Sequence, residues 1–144
     1  MPSEIVELIH RFNDAFNRRD FDSILDEVTD DVELHEWRDA PGAQVFRGRD
    51  GAQRAFDRWF ESWEWMQTKI EGVEEEGDRA LVTAFQRARG SVSGAEVSLR
   101  SWNVYEFRDG RVWRLRLFTN EQDAREALQE PGLEGAETIR EENA

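Results

Sequence analysis

Glu36 is the side chain in this sequence best placed to do chemistry. It closes the run Val32-Glu33-Leu34-His35-Glu36, whose alternation predicts a strand. Strand side chains change face at every residue, so Val32, Leu34 and Glu36 point together, toward a core. A carboxylate there must be paired, border a wet cavity, or hold its proton more tightly than usual. Beside a cavity it could take a proton from a carbon next to a carbonyl. Paired with an inward Arg87 or Arg89 it would be a structural ion, and the sequence leaves both open. Asn103 and Tyr105 share parity with Leu99, Ser101 and Phe107 in a second strand, which places them on the concave face. Asn103 could orient a carbonyl and Tyr105 could donate to a developing oxyanion. The structural alternative is an amide satisfied by backbone and a tyrosine that belongs to the core. Arg87 has the parity of Leu81, Thr83 and Phe85. It could fork onto a substrate carboxylate, or rest its stem on rings at an open rim with its head in water.

Other chemistries are poorly supplied. There is no cysteine, which removes disulfides, thiolate nucleophiles and zinc–thiolate sites. The two histidines, His10 and His35, form no HxH or HExxH spacing, so neither a metal nor another cofactor is expected. Glu74-Glu75-Glu76 reads as a solvated strand end. A net charge of −13 opposes nucleic acid and anionic membrane, both of which need a cationic surface. No run approaches the roughly 20 apolar residues of a membrane helix. Met1-Pro2-Ser3-Glu4 lacks the basic and apolar parts of a signal peptide, so a cytoplasmic protein is expected.

The elements that must position these groups follow from periodicity. The 144 residues suit one domain, with nine Phe and six Trp to fill its core. Ser3 caps a first helix with a stripe of Ile5, Leu8, Ile9, Phe12 and Phe16. Asp20 caps a short second helix that buries Phe21, Ile24, Leu25 and Val28. The Glu36 strand, a Pro41-Gly42 loop and a short extended piece, Gln44-Val45-Phe46, come next. A third helix over 50–63 buries Ala52, Ala55, Phe56, Trp59, Phe60 and Trp63. Strands are expected at 66–75, 79–89, 95–107 and 111–119, the last two joined by an Asp109-Gly110 hairpin. A short helix over 120–129 precedes Pro131-Gly132. Residues 1–130 are therefore expected to form one domain and 131–144 an acidic, flexible tail. Helices followed by antiparallel strands make an α+β domain, its curved sheet packed on three N-terminal helices and enclosing a pocket. Phe12, Phe16, Phe56, Trp59, Phe60, Trp63 and Phe85 are chiefly core, and some of them line the pocket with Arg87, Tyr105 and Leu117. On the other sheet face Trp102, Val104, Phe118, Val82 and Ala84 offer an apolar patch suited to a homodimer.

Several strings, in this order, resemble the ketosteroid isomerase and SnoaL-like branch of the nuclear transport factor 2-like superfamily, with its cone-shaped, cystatin-like fold. They are Phe16-Asn17-Arg18-Arg19-Asp20-Phe21-Asp22-Ser23-Ile24, Thr29-Asp30-Asp31-Val32-Glu33-Leu34-His35-Glu36 and Phe46-Arg47-Gly48-Arg49-Asp50-Gly51. Tyr105-Glu106-Phe107-Arg108-Asp109-Gly110-Arg111-Val112 and Ala127-Leu128-Gln129-Glu130-Pro131-Gly132-Leu133 complete the set. The resemblance implies that Glu36 stands where ketosteroid isomerases place the aspartate that carries a proton between carbons. Asn103 stands at the position of their protonated aspartic acid, and Phe12 at that of their oxyanion-hole tyrosine. Phe12 cannot donate a hydrogen bond, which departs from steroid isomerisation. SnoaL-like cyclases place an acid near the end of the last strand, where Leu117 and Thr119 stand here. Arg87 and Glu36 mimic part of the Asp-Arg-Asp group of limonene-epoxide-hydrolase-like members, without a third acid. The resemblance thus implies a cofactor-independent isomerase, dehydratase or cyclase acting on a small apolar or planar carbonyl compound. A non-catalytic binding or scaffold module of the same fold is the alternative, because the fold does not fix the function.

Overall fold

The structure, a computed structural model, describes residues 3–37 and 42–130. Pro41 and the expected tail over 131–144 lie outside the described residues. In chain order the elements are α1 (Glu4–Asn17), α2 (Phe21–Leu25), β1 (Val28–His35), β2 (Val45–Arg47) and α3 (Gly48–Ser62). They continue with β3 (Trp63–Glu76), β4 (Arg79–Gly90), β5 (Glu96–Arg108), β6 (Arg111–Phe118) and α4 (Glu121–Leu128). Ser3 caps α1 by accepting from the Val6 amide at 3.1 Å, and Asp20 caps α2 by accepting from Ser23 at 3.2 Å. Asp109 and Gly110 both have positive φ (54° and 74°), as the tight β5–β6 hairpin requires. Several boundaries differ from the periodicity reading: β1 ends at His35, one residue before Glu36, α3 begins at Gly48 and β3 at Trp63. Val28 opens β1 instead of closing α2, and Trp63 opens β3 instead of closing α3. Trp63 is extended (φ −125°, ψ 130°), so the aromatic stripe of α3 runs unbroken into a strand.

The six strands form one sheet in the order β2-β1-β6-β5-β4-β3, with β1 and β6 parallel and every other pair antiparallel. Helices α1, α2 and α3 cover one face. Their rings converge on Phe56, which lies 5.1–6.4 Å from Trp59, Phe21, Phe60, Phe16 and Phe12. Asn17 fixes α1 against the edge strand β3, accepting from the Thr68 amide at 2.9 Å and donating to the Thr68 carbonyl at 3.0 Å. The helix thereby occupies backbone groups that an open sheet edge would expose.

The strand β4 presents the opposite face to that expected. Asn103 pairs with Val82, Tyr105 with Ala80 and Ser101 with Ala84, so Ala80, Val82, Ala84 and Gln86 face the helices. Leu81, Thr83, Phe85 and Arg87 face away. The cause is that 79–82 are all buried, since both faces of the strand are covered, and such a run carries no alternation to read. The outer apolar patch is corrected with it. Val104 and Phe118 join Leu81, not Val82 and Ala84, and α4 covers them with Ala124, Ala127 and Leu128, while Trp102 is half-buried beside them. The patch offered for a homodimer is largely closed within the chain.

Candidate active site

A cavity of about 250 Å³ opens between the helices and the sheet. Phe12, Asn13 and Phe16 come from α1, and Phe56, Arg58, Trp59 and Ser62 from α3. Trp63, Met66, Thr68 and Gln86 come from β3 and β4, and Asn103, Tyr105, Leu115 and Leu117 from β5 and β6. Glu36 and Trp37, just past the end of β1, complete the wall. Seven of these side chains are aromatic, and Glu36 is the only carboxylate among the described lining residues.

The register of the sheet sets the spacing of the polar groups. Leu34 pairs with Leu115 and His35 with Arg116, so Glu36 continues level with Leu117. Asn103 pairs with Leu117 from the other side. Glu36 and Asn103 therefore flank Leu117 two strands apart, about 10 Å between Cα atoms at the usual strand spacing.

Glu36 is held rather than loose. Its side chain is 11% exposed. Oε1 accepts from the Gln44 amide at 3.1 Å, and Oε2 accepts from the Trp59 indole at 2.6 Å with Arg58 Nε at 3.5 Å. A carboxylate has about four acceptor positions, so lone pairs are left over. The expected ionic partners are elsewhere: Arg89 pairs with Glu96 at 3.4 Å, and the Arg87 guanidinium lies over Trp65 at 5.9 Å. Arg58 and Trp59 take their place because α3 passes over the end of β1. That crossing is a tertiary contact which strand parity cannot supply.

Asn103 is 5% exposed, and its Oδ1 has no hydrogen-bond partner. Nor does its amide nitrogen donate to any described residue. Tyr105 is buried, edge-on to Phe12 at 5.8 Å, and burial pushes its phenol well above the ordinary range, so it stays protonated and able to donate. Thr68 Oγ1 and Trp37 Nε1 are also buried without partners.

Of the residues expected to line a pocket, Phe12, Phe16, Phe56, Trp59, Tyr105 and Leu117 do so beside Glu36 and Asn103. Three do not. Phe60 packs on Phe16 and Phe56 beneath Arg19, and Phe85 and Arg87 lie on the far face of β4. Gln86 was missed through the same parity inversion, and Thr68 reaches the cavity beside it as its partner in β3. Trp37, Arg58 and Ser62 were missed because their place depends on how α3 and the end of β1 meet. Asn13 had a local signal: it lies one residue from Phe12, on the edge of the apolar stripe. Among the described residues no three histidine or acidic side chains converge to hold a metal ion, and no helix is long and apolar enough to cross a membrane.

Residues 9–115 match the profile of the SnoaL-like domain. The chain belongs to the SnoaL-like family. Among solved structures, a protein from Jannaschia sp. CCS1 named as a SnoaL-like polyketide cyclase by assignment only is 22% identical over 90% of this chain and 94% of that one, with a TM-score of 0.72. An NTF2-like protein of unknown function from Burkholderia pseudomallei K96243 is 20% identical over 90% of this chain and all of that one (TM-score 0.72). A limonene-epoxide-hydrolase-like epoxide hydrolase from M. tuberculosis is 20% identical over 87% and 89% (TM-score 0.65). At such identities the likeness establishes the NTF2-like fold of this SnoaL-like protein. No protein of curated function matches the sequence.

Proposed function

We propose that this SnoaL-like protein is a cofactor-independent enzyme that moves a proton next to the carbonyl of a small, flat, largely apolar substrate. Glu36 is the base. Asn103 Nδ2 and the Tyr105 hydroxyl hold the oxygen on which charge develops. The observation that carries this reading is that one cavity is lined by both a fixed carboxylate, Glu36, and a buried, unspent amide, Asn103. Aromatic walls exclude water and favour a planar ligand, which makes each polar contact inside count for more. Removing the α-proton leaves an enolate. Returning the proton to another carbon gives isomerisation, losing a β-hydroxyl gives dehydration, and attack on a second carbonyl gives cyclisation. Epoxide opening by an acid pair is less well supplied, because Glu36 is the only carboxylate among the described lining residues.

The Arg58 contact favours a second reading, in which Glu36 is a structural ion and the cavity only binds. Deuterium exchange separates the two without knowledge of the natural substrate. Tetralone incubated with the protein in heavy water should gain deuterium at its α-carbon, followed by NMR. Glu36→Gln should slow that exchange by about a hundredfold or more, the usual contribution of a general base. Tetralone that binds and gains no deuterium beyond the buffer rate would leave the binding module.

A further inference from the structure

We infer that the Asn103 end of the cavity recognises a hydrogen-bond donor and acceptor side by side on a small ring, an arrangement found in an α-hydroxyketone or a lactam. The inference rests on the proton-transfer reading for what happens after binding, and on the cavity alone for recognition. Asn103 is 5% exposed, lines the cavity, and spends neither end of its amide on the described protein. A buried amide left unsatisfied is costly, and the ligand is the partner that can relieve it. A primary amide offers N–H and C=O together, so a ligand with a carbonyl alone would satisfy only Nδ2 and leave Oδ1 without a donor. Adjacent C=O and O–H, or C=O and N–H, satisfy both.

Size narrows the class further. About 250 Å³ lies below the roughly 300–1,000 Å³ of sites for drug-sized ligands, which suits a recognised part of one or two rings. On a hydroxyketone the Glu36 chemistry closes without a co-reactant. The C–H bond at the hydroxyl-bearing carbon breaks, its proton goes to Glu36, and its electron pair forms the enediolate double bond. The hydroxyl proton passes to the neighbouring oxygen, and Glu36 returns its proton to the former carbonyl carbon. Hydroxyl and carbonyl have exchanged places. A lactam would bind in the same way.

The test is a binding panel read by quenching of tryptophan fluorescence, since Trp37, Trp59 and Trp63 line the cavity. One arm compares α-hydroxytetralone with tetralone and with tetralol. The other compares quinolone with N-methylquinolone, which lacks the N–H. The probe carrying both groups should bind about tenfold more tightly than its partners in at least one arm. The arm that shows the preference identifies the hydroxyketone or the lactam as the source. Asn103→Leu should erase the preference while tetralone still binds. Equal affinities in both arms of the wild-type panel overturn the inference, whether or not the variants fold. Glu36→Gln should keep the preference, so a failure of recognition and a failure of proton transfer are read separately.

Discussion

At the scale of single residues, the candidate site depends on how firmly Glu36 is aimed. Three groups engage its two oxygens, and the shortest contact is the Trp59 indole at 2.6 Å. Trp59 also packs edge-on against Phe56, so its ring position is fixed by the core that α3 buries. We therefore expect Trp59 to be a positioning residue. Trp59→Phe keeps an aromatic ring and removes the N–H. Proton exchange at the ketone should fall by about tenfold to a hundredfold, the scale of a misplaced catalytic group. Unfolding stability should fall by only about 1 kcal/mol, the net worth of one hydrogen bond. Lowered stability with unchanged exchange would reduce Trp59 to packing. The sequence exposed Glu36 because an acid on an apolar strand face stands out. Its partners Arg58 and Trp59 were hidden, since an exposed-looking arginine on a helix carries no mark of which strand end it will meet.

At the scale of elements, β4, β6 and α4 show where alternation misleads. Arg114 and Arg116 alternate with Trp113, Leu115 and Leu117 in β6, yet they are buried with Arg79 around Glu106, which is 2% exposed. Glu106 accepts from Arg114 through both oxygens and lies 3.3 Å from Arg79 and 3.4 Å from Arg116. Arg79 also donates to the carbonyls of Ala127, Leu128 and Glu130, and Arg116 pairs with Glu130 at 3.1 Å. The cluster thus satisfies the open carbonyls at the end of α4 and fastens that helix to the outer face of the sheet. Glu106→Gln would leave three buried guanidinium groups facing one another without their shared anion. We expect a loss of about 3–5 kcal/mol in urea unfolding, as for other buried ion pairs broken on one side. A loss below about 1 kcal/mol would mean that water reaches the cluster and α4 is held by its apolar contacts alone. None of this could be read from residues 111–118 by themselves, because the cover that buries Arg114 and Arg116 arrives with the chain after 120.

At the scale of the whole molecule, the order of helices and strands was legible because each element carries its own local signal. Caps at Ser3 and Asp20, the 3.6-residue stripe of α1 and the Asp109-Gly110 hairpin all stand where they were expected. What stayed hidden is which face a doubly covered strand presents, and so which of Gln86 and Arg87 reaches the cavity. Charge is the other property that belongs to the whole chain, and it sets two effects against each other. With a net charge of −13, mutual repulsion would be relieved by acid, which taken alone predicts greater stability at low pH. The individual carboxylates argue the opposite. The hydrogen bond from the His35 ring holds Glu33 below the usual carboxylate range, Thr29 does so for Asp31, Ser23 for Asp20 and Arg100 for Glu71. Each binds its proton less readily folded than unfolded, so its stabilisation is complete above the unfolded value near 4 and disappears as pH falls through the lower folded value. All four shift the same way despite the acidic surroundings, which argues for local contacts over general repulsion at these sites. Melting temperature followed by circular dichroism should therefore hold from pH 7 to about 5 and fall steadily toward pH 3. Glu33→Gln, which cannot titrate, should flatten that fall, and a melting temperature that rises on acidification would show that repulsion across the whole surface wins instead.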